Sequence, residues 1–172
     1  MKKMMFTLAA VLCCAALFSS CKKAETKQEE KVDNTPAYVE LKFAYEATDQ
    51  MIKYTDMVIT YDEGAGEKTE NMTSLSYEKT LKANLPCTLK FGRTVKMKDG
   101  AEVAEDKFAY RIGCYISYEI YTAAGVKCGK GGTTGGSSGS SLSAAGVVDE
   151  IAKGKFNDSS SWTFDKNGNV VK

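Results

Sequence analysis

Between Tyr38 and Tyr121 apolar residues recur at every second position. Val39, Leu41, Phe43 and Tyr45 alternate with Glu40, Lys42, Ala44 and Glu46. Successive side chains of an extended chain point to opposite sides, so this alternation predicts a strand with one buried face. "MVITY" (57–61) and "KTENM" (68–72) flank "DEGAGE", whose two glycines suit a hairpin loop. Leu75, Tyr77 and Leu81 mark a further strand, and Leu85, Cys87, Leu89 and Phe91 another, which Val95 and Met97 continue beyond Gly92 to the turn "KDG". The longest alternation is Phe108, Tyr110, Ile112, Cys114, Ile116, Tyr118 and Ile120. At about 3.3 Å per residue that run approaches 40 Å, twice an ordinary strand, so a bend or bulge is expected, with Gly113 as its natural place.

After Tyr121 the pattern changes. "GVKCGKGGTTGGSSGSSLSAAG", Gly125 to Gly146, has no apolar period and predicts a mobile Gly/Ser-rich loop over 125–146. Ser143 suits the cap of a short helix with Val147, Val148 and Ile151 on one face and Gly154 as its stop. "SWTFDKNGNVV" predicts a closing hairpin around Asn167-Gly168, with Trp162 as its buried anchor. Many short strands, polar turns and no long helix together predict an all-β, antiparallel β-sandwich over 38–124, with the short helix and hairpin filling 147–172.

The first residues obey another rule. Lys2 and Lys3 precede the uncharged "MMFTLAAVLCCAALF", Met4 to Phe18, which has the length of a signal-peptide core and falls short of the roughly 20 residues a membrane-spanning helix needs. It stops at "LFSSC". That ending resembles the lipobox of bacterial lipoproteins, in its relaxed Bacteroidota form, where small residues precede a cysteine whose thiolate accepts a diacylglyceryl group. Phe18 stands where the common pattern has Leu. The resemblance implies a lipoprotein signal peptide over 1–20, fatty acylation of Cys21, and attachment to the outer membrane on either its periplasmic or its surface face. An ordinary secretory signal cut near Ser19 or Ser20 is the alternative. Several acyl chains anchor stably where one does so only marginally. The charged stretch that follows, "KKAETKQEEKVDNTPA", predicts a flexible tether over 21–37.

Within the strand-rich region, the "DMV" strand, the "YDEG" turn and the "LP" step, in that order between Tyr54 and Gly100, resemble small Bacteroidota cell-envelope lipoproteins with an immunoglobulin-like sandwich. The resemblance implies that fold for about 38–121. It brings no activity and no catalytic residues.

Charge and composition mainly exclude. The formal net charge of +1 falls to −1 without the two leader lysines, which leaves no basic surplus for nucleic acid. The chain has no histidine, which removes Ser-His-Asp and Cys-His catalysis and His-containing zinc sites. "KCGKGGTTGG" lacks the order of a phosphate-binding P-loop, and "DKNGN" (Asp165, Asn167, Asn169) lacks the distal glutamate of a calcium loop. No enzyme activity, cofactor or metal is therefore expected. The candidate ligand face is the outward side of the long strand, Arg111, Tyr115, Ser117, Glu119 and Tyr121, where tyrosines beside an arginine and a carboxylate suit a peptide or sugar. Exposed tyrosines on strands also occur merely for β-propensity and cross-strand packing.

Three cysteines follow Cys21. Cys87 and Cys114 share the parity of buried neighbours, so a Cys87–Cys114 bridge, a bond from Cys128 to either, and free thiols are all open. The expected function is a lipid-anchored, non-enzymatic binding or accessory module, its ligand a glycan or an envelope protein. The alternative is a structural or assembly subunit, of the small fimbrial type, that pairs by strand addition.

Overall fold

The computed structural model describes residues 33–171. In chain order they form β1 (Pro36–Glu46), α1 (Asp49–Tyr54), β2 (Thr55–Asp62), β3 (Glu67–Asn71), β4 (Ser76–Asn84), β5 (Cys87–Met97), β6 (Lys107–Thr122), β7 (Lys127–Ser143), α2 (Ala144–Ala152), β8 (Asp158–Phe164) and β9 (Val170–Val171). Two antiparallel sheets result, a four-stranded one ordered β4-β1-β6-β7 and a five-stranded one ordered β3-β2-β5-β8-β9. The fold is an all-β sandwich with a short C-terminal helix and hairpin.

The alternation seen in the sequence sets the layers. Val39, Leu41, Phe43 and Tyr45 of β1 are wholly buried, as are Leu81 of β4, Leu89 of β5 and Phe108 and Ile120 of β6. Phe43 and Phe91 stack between the sheets with ring centroids 4.3 Å apart. Each such side chain contributes about 1.5–3 kcal/mol on burial, and all the core residues fall in the compact unit Asp33–Lys172. The β2–β3 loop is closed by Asp62, whose Oδ1 accepts from the amides of Gly64 (2.7 Å) and Gly66 (3.1 Å).

Several expectations need correction. The stretch 125–146 is not a mobile loop: from Lys127 to Ser143 it is β7, paired antiparallel with β6 from Lys107 opposite Ser143 to Glu119 opposite Gly131. A strand can be built from backbone hydrogen bonds alone when a neighbour supplies the template, whatever its side chains. Gly113 has φ +116, but the β6–β7 register runs through it without interruption, and the irregularity lies between Glu119 and Tyr121, opposite the stretch containing Gly129. The tether range 21–37 overlaps the fold at its end, since β1 already begins at Pro36.

α1 is a short helix that the alternation does not announce. The Thr48 hydroxyl caps it, accepting from the Met51 amide, and Met51 and Tyr54 bury one side. α2 follows the expected plan, with Ser143 accepting from the Gly146 amide and Val147 and Ile151 buried, though Val148 points to solvent. The closing turn is as expected: Asp165 accepts from the amides of Asn167 and Asn169, and Gly168 has φ +76. Trp162 is half-buried beside Tyr118, at 5.7 Å between ring centroids.

Candidate functional site

The outward face of β6 lies between β1 and β7, and one row across it has an unusual centre. Gly113 stands opposite Ser137 of β7, and the β1–β6 register that pairs Tyr45 with Cys114 brings Glu46 to its other side. A side chain at Gly113 would collide with the Gly136 carbonyl oxygen, and its positive φ also favours glycine. The row therefore has a gap in its middle. Arg111 and Tyr115, two residues before and after, reach over that gap. Arg111 Nη1 pairs with Glu46 Oε2 at 3.0 Å, the Ser137 hydroxyl donates to the same oxygen at 2.7 Å, and Tyr115 Oη lies 3.3 Å from Ser137 Oγ. The Ser137 hydroxyl first, and then Arg111, hold the Glu46 carboxyl below the ordinary carboxylate range. Tyr115 nevertheless stays 45% exposed.

Glu119 and Tyr121 belong to a second cluster. Glu119 faces Glu40 across the β1–β6 ladder, and each carboxylate has its own lysine: Lys127 at 3.1 Å from Glu119, Lys82 at 3.1 Å from Glu40. Tyr121 stacks on Tyr38 at 5.1 Å, and Lys82 Nζ sits 3.9 Å from the Tyr38 ring centroid. Ten residues of strand, about 33 Å, separate Arg111 from Tyr121. Of the five residues of the candidate ligand face, the structure thus unites Arg111 with Tyr115 and Glu119 with Tyr121, but not the two pairs, and Ser117 lies between them. Between the clusters is a shallow depression of about 180 Å³ lined by Lys42, Ala44, Tyr115, Ser117 and Thr133. A larger trough of about 500 Å³ lies on the other sheet, lined by Thr60, Asp62, Glu67, Lys90, Ser159 and Ser161 around Gly92.

Inside the sandwich the sequence reading missed a polar group. Arg93 of β5 is only 2% exposed. Its Nη1 donates to the Glu46 carbonyl at 3.0 Å, its guanidinium carbon sits 4.9 Å from the Tyr45 ring centroid, and its buried Nε has no partner among the described residues. Tyr45 in turn donates to Asp158 Oδ2 at 2.7 Å. Burial first, and donation to Asp158 second, push the Tyr45 hydroxyl far above its usual pKa. Burial lowers that of Arg93. The signal was present, because Arg93 has the same parity as Leu89, Phe91 and Val95.

The same cluster decides the thiols. Cys114 touches the field of Asp158 and Arg93, and burial chiefly pushes its pKa up to about 11. Cys87 lies six residues along β5 from Arg93, about 20 Å of strand, whereas a disulfide requires Cα atoms within about 7 Å. The Cys87–Cys114 bridge is therefore not formed, and Cys87, Cys114 and Cys128 are free thiols. Shared parity places both residues in the core but says nothing of their height along it. Cys128 sits at the start of β7, with Sγ 3.8 Å from the Asn34 carbonyl oxygen.

Cys21 and the signal-peptide range lie outside the described residues. Among the described residues no His, Cys, Asp and Glu side chains converge in a metal-holding group, and no helix is long and apolar enough to cross a membrane. No protein-family model matches the chain, and no curated protein or solved structure is significantly similar to it.

Proposed function

We propose that the protein is a lipid-anchored component of the bacterial cell envelope, held to the outer membrane through Cys21, that works by binding and not by catalysis. The observation that carries the binding reading is the Gly113 gap on the outer face of β6, where an exposed tyrosine, an arginine and a carboxylate converge beside a shallow depression. An aromatic surface next to hydrogen-bonding charged groups suits an extended peptide or a sugar ring. The anchor rests on the "LFSSC" ending and the leader before it.

A screen of glycans and envelope proteins against the unmodified chain, repeated with Tyr115→Ala and Arg111→Ala, tests the binding face. A ligand whose affinity falls at least tenfold in both variants supports it, and a ligand indifferent to both contradicts it. Metabolic labelling with a fatty-acid probe tests the anchor: Cys21→Ala should abolish the label, and an unchanged label would refute the assignment. A second reading, an assembly subunit that pairs by strand addition, is favoured by the unpaired edge of β7, uncharged from Gly131 to Ser143.

A further inference from the structure

Four strands end a sheet in this sandwich: β4 and β7 in one, β3 and β9 in the other. A sheet edge presents unpaired amides and carbonyls, and proteins ordinarily protect it with charge, proline, bulges or shortness. β4 carries Glu78, Lys79 and Lys82, β3 carries Glu67, Lys68 and Glu70, and β9 has only two residues. Glu70 also joins the first two edges, accepting from Tyr61 at 2.6 Å, Tyr77 at 2.9 Å and Lys79 at 2.5 Å. β7 is 17 residues long, and from Gly131 to Ser143 it has neither charge nor proline. β6 occupies one side of it, and among the described residues no strand pairs with the other.

We propose that β7 is a self-association edge, on which a second copy of the chain docks β7 to β7, antiparallel, about a two-fold axis near Ser137. The two four-stranded sheets then continue as one sheet of eight strands. What binds is the row of free backbone donors and acceptors, over a stretch of about 43 Å. Charge selects the occupant. The edge offers no charged side chain to recognise a charged peptide, whereas a second β7 is equally neutral. In the two-fold arrangement Gly131 stands opposite Ser143, so every residue of the neutral stretch meets another of the same stretch, and Lys130 and Lys127 fall beyond it. Glycine, serine and threonine leave both sheet faces flat enough for close approach.

The contact deepens the assembly reading by naming a second copy as the partner. Sedimentation velocity of the chain starting at Lys22 tests it, because the compact unit from Asp33 holds every described core residue. Thr134 and Ser138 are both exposed, so a charge at either is tolerated in the monomer. The unmodified chain should move to twice the monomer mass as concentration rises toward about 1 mM. Thr134→Lys/Ser138→Lys and Thr134→Glu/Ser138→Glu should each weaken self-association at least tenfold, and an equimolar mixture of the two should restore a mixed dimer. A chain that stays monomeric throughout, or a dimer that ignores both variants, overturns the proposal. A monomer in solution that still runs in native envelope extracts within a complex lost in the Lys variant would overturn self-pairing and leave the assembly reading standing. A monomer in both settings would remove both.

Discussion

β6 and β7 lie side by side over most of their length and are strands for different reasons. β6 buries Phe108, Cys114, Ile116 and Ile120, so its own side chains supply the energy that holds it extended. β7 has only Cys128 and Leu142 packed against the core, one near each end. A backbone hydrogen bond nets about 0.5–1.5 kcal/mol, while fixing a residue's backbone costs about 1–2 kcal/mol, and more for glycine. A Gly/Ser strand is therefore unfavourable by itself. β7 is ordered because β6 is a rigid template and because both of its ends are fixed. At one end Lys130 Nζ donates to the Asn167 carbonyl at 2.7 Å; at the other Leu142 and the Ser143 cap lead into α2 with its buried Val147. One hairpin thus joins a strand made by burial to a strand made by pairing.

The largest effect should come from damaging the template. Phe108→Ala removes a fully buried side chain of β6 and should cost about 3–5 kcal/mol in urea unfolding. A loss under 1 kcal/mol would mean that β6 is not held by its buried face. Two adjacent glycines of β7 separate backbone geometry from space. Gly135 has φ +97, and a side chain there would collide with the Cys114 carbonyl oxygen, so Gly135→Ala should cost about 1–3 kcal/mol. Gly136 has open space around its Cα, and Gly136→Ala should change stability by no more than about 0.5 kcal/mol. Equal effects at the two positions would show that the β6–β7 register is different.

An effect smaller than those at Phe108 and Gly135 concerns the side-chain link between β1, β6 and β7. The Glu46 carboxyl lies below its ordinary range in the folded chain, chiefly through Ser137, so it stabilises the fold above the unfolded-state pKa and loses that contribution as pH falls through the folded value. Its surroundings are partly solvated, so Glu46→Gln should cost only about 0.2–1 kcal/mol at neutral pH. The gap between variant and unmodified chain should close as pH falls below about 4. Equal stability at neutral pH, or a gap unchanged down to pH 2, would remove the proposed link.

What was legible follows the same division. Every strand that alternates apolar and polar residues was readable from its parity, as were the Ser143 cap and the Asn167-Gly168 turn. α1 escaped because six residues are too few to set a helical period, although Thr48 is an ordinary cap. Arg93 was not legible as a buried group because an arginine, even at a buried parity between Phe91 and Val95, is almost never fully buried. The link between Glu46, Gly113 and Ser137 could not be read at all without the register, since its members come from three strands. β7 carried no side-chain signal of its own. Its one clue was the "TAAG" turn after β6, where Gly125 has φ +78 and its amide donates to the Thr122 carbonyl at 3.0 Å.

Amide hydrogen exchange along β7, measured residue by residue on a dilute sample, tests the central claim most directly. In an edge strand alternate amides bond to the neighbour and the others face water. The account predicts alternating protection from Gly131 to Ser143, slow where the amide donates to β6 and fast at the residues between. Uniformly fast exchange across the stretch, at the rate of an unstructured Gly/Ser linker, would contradict it.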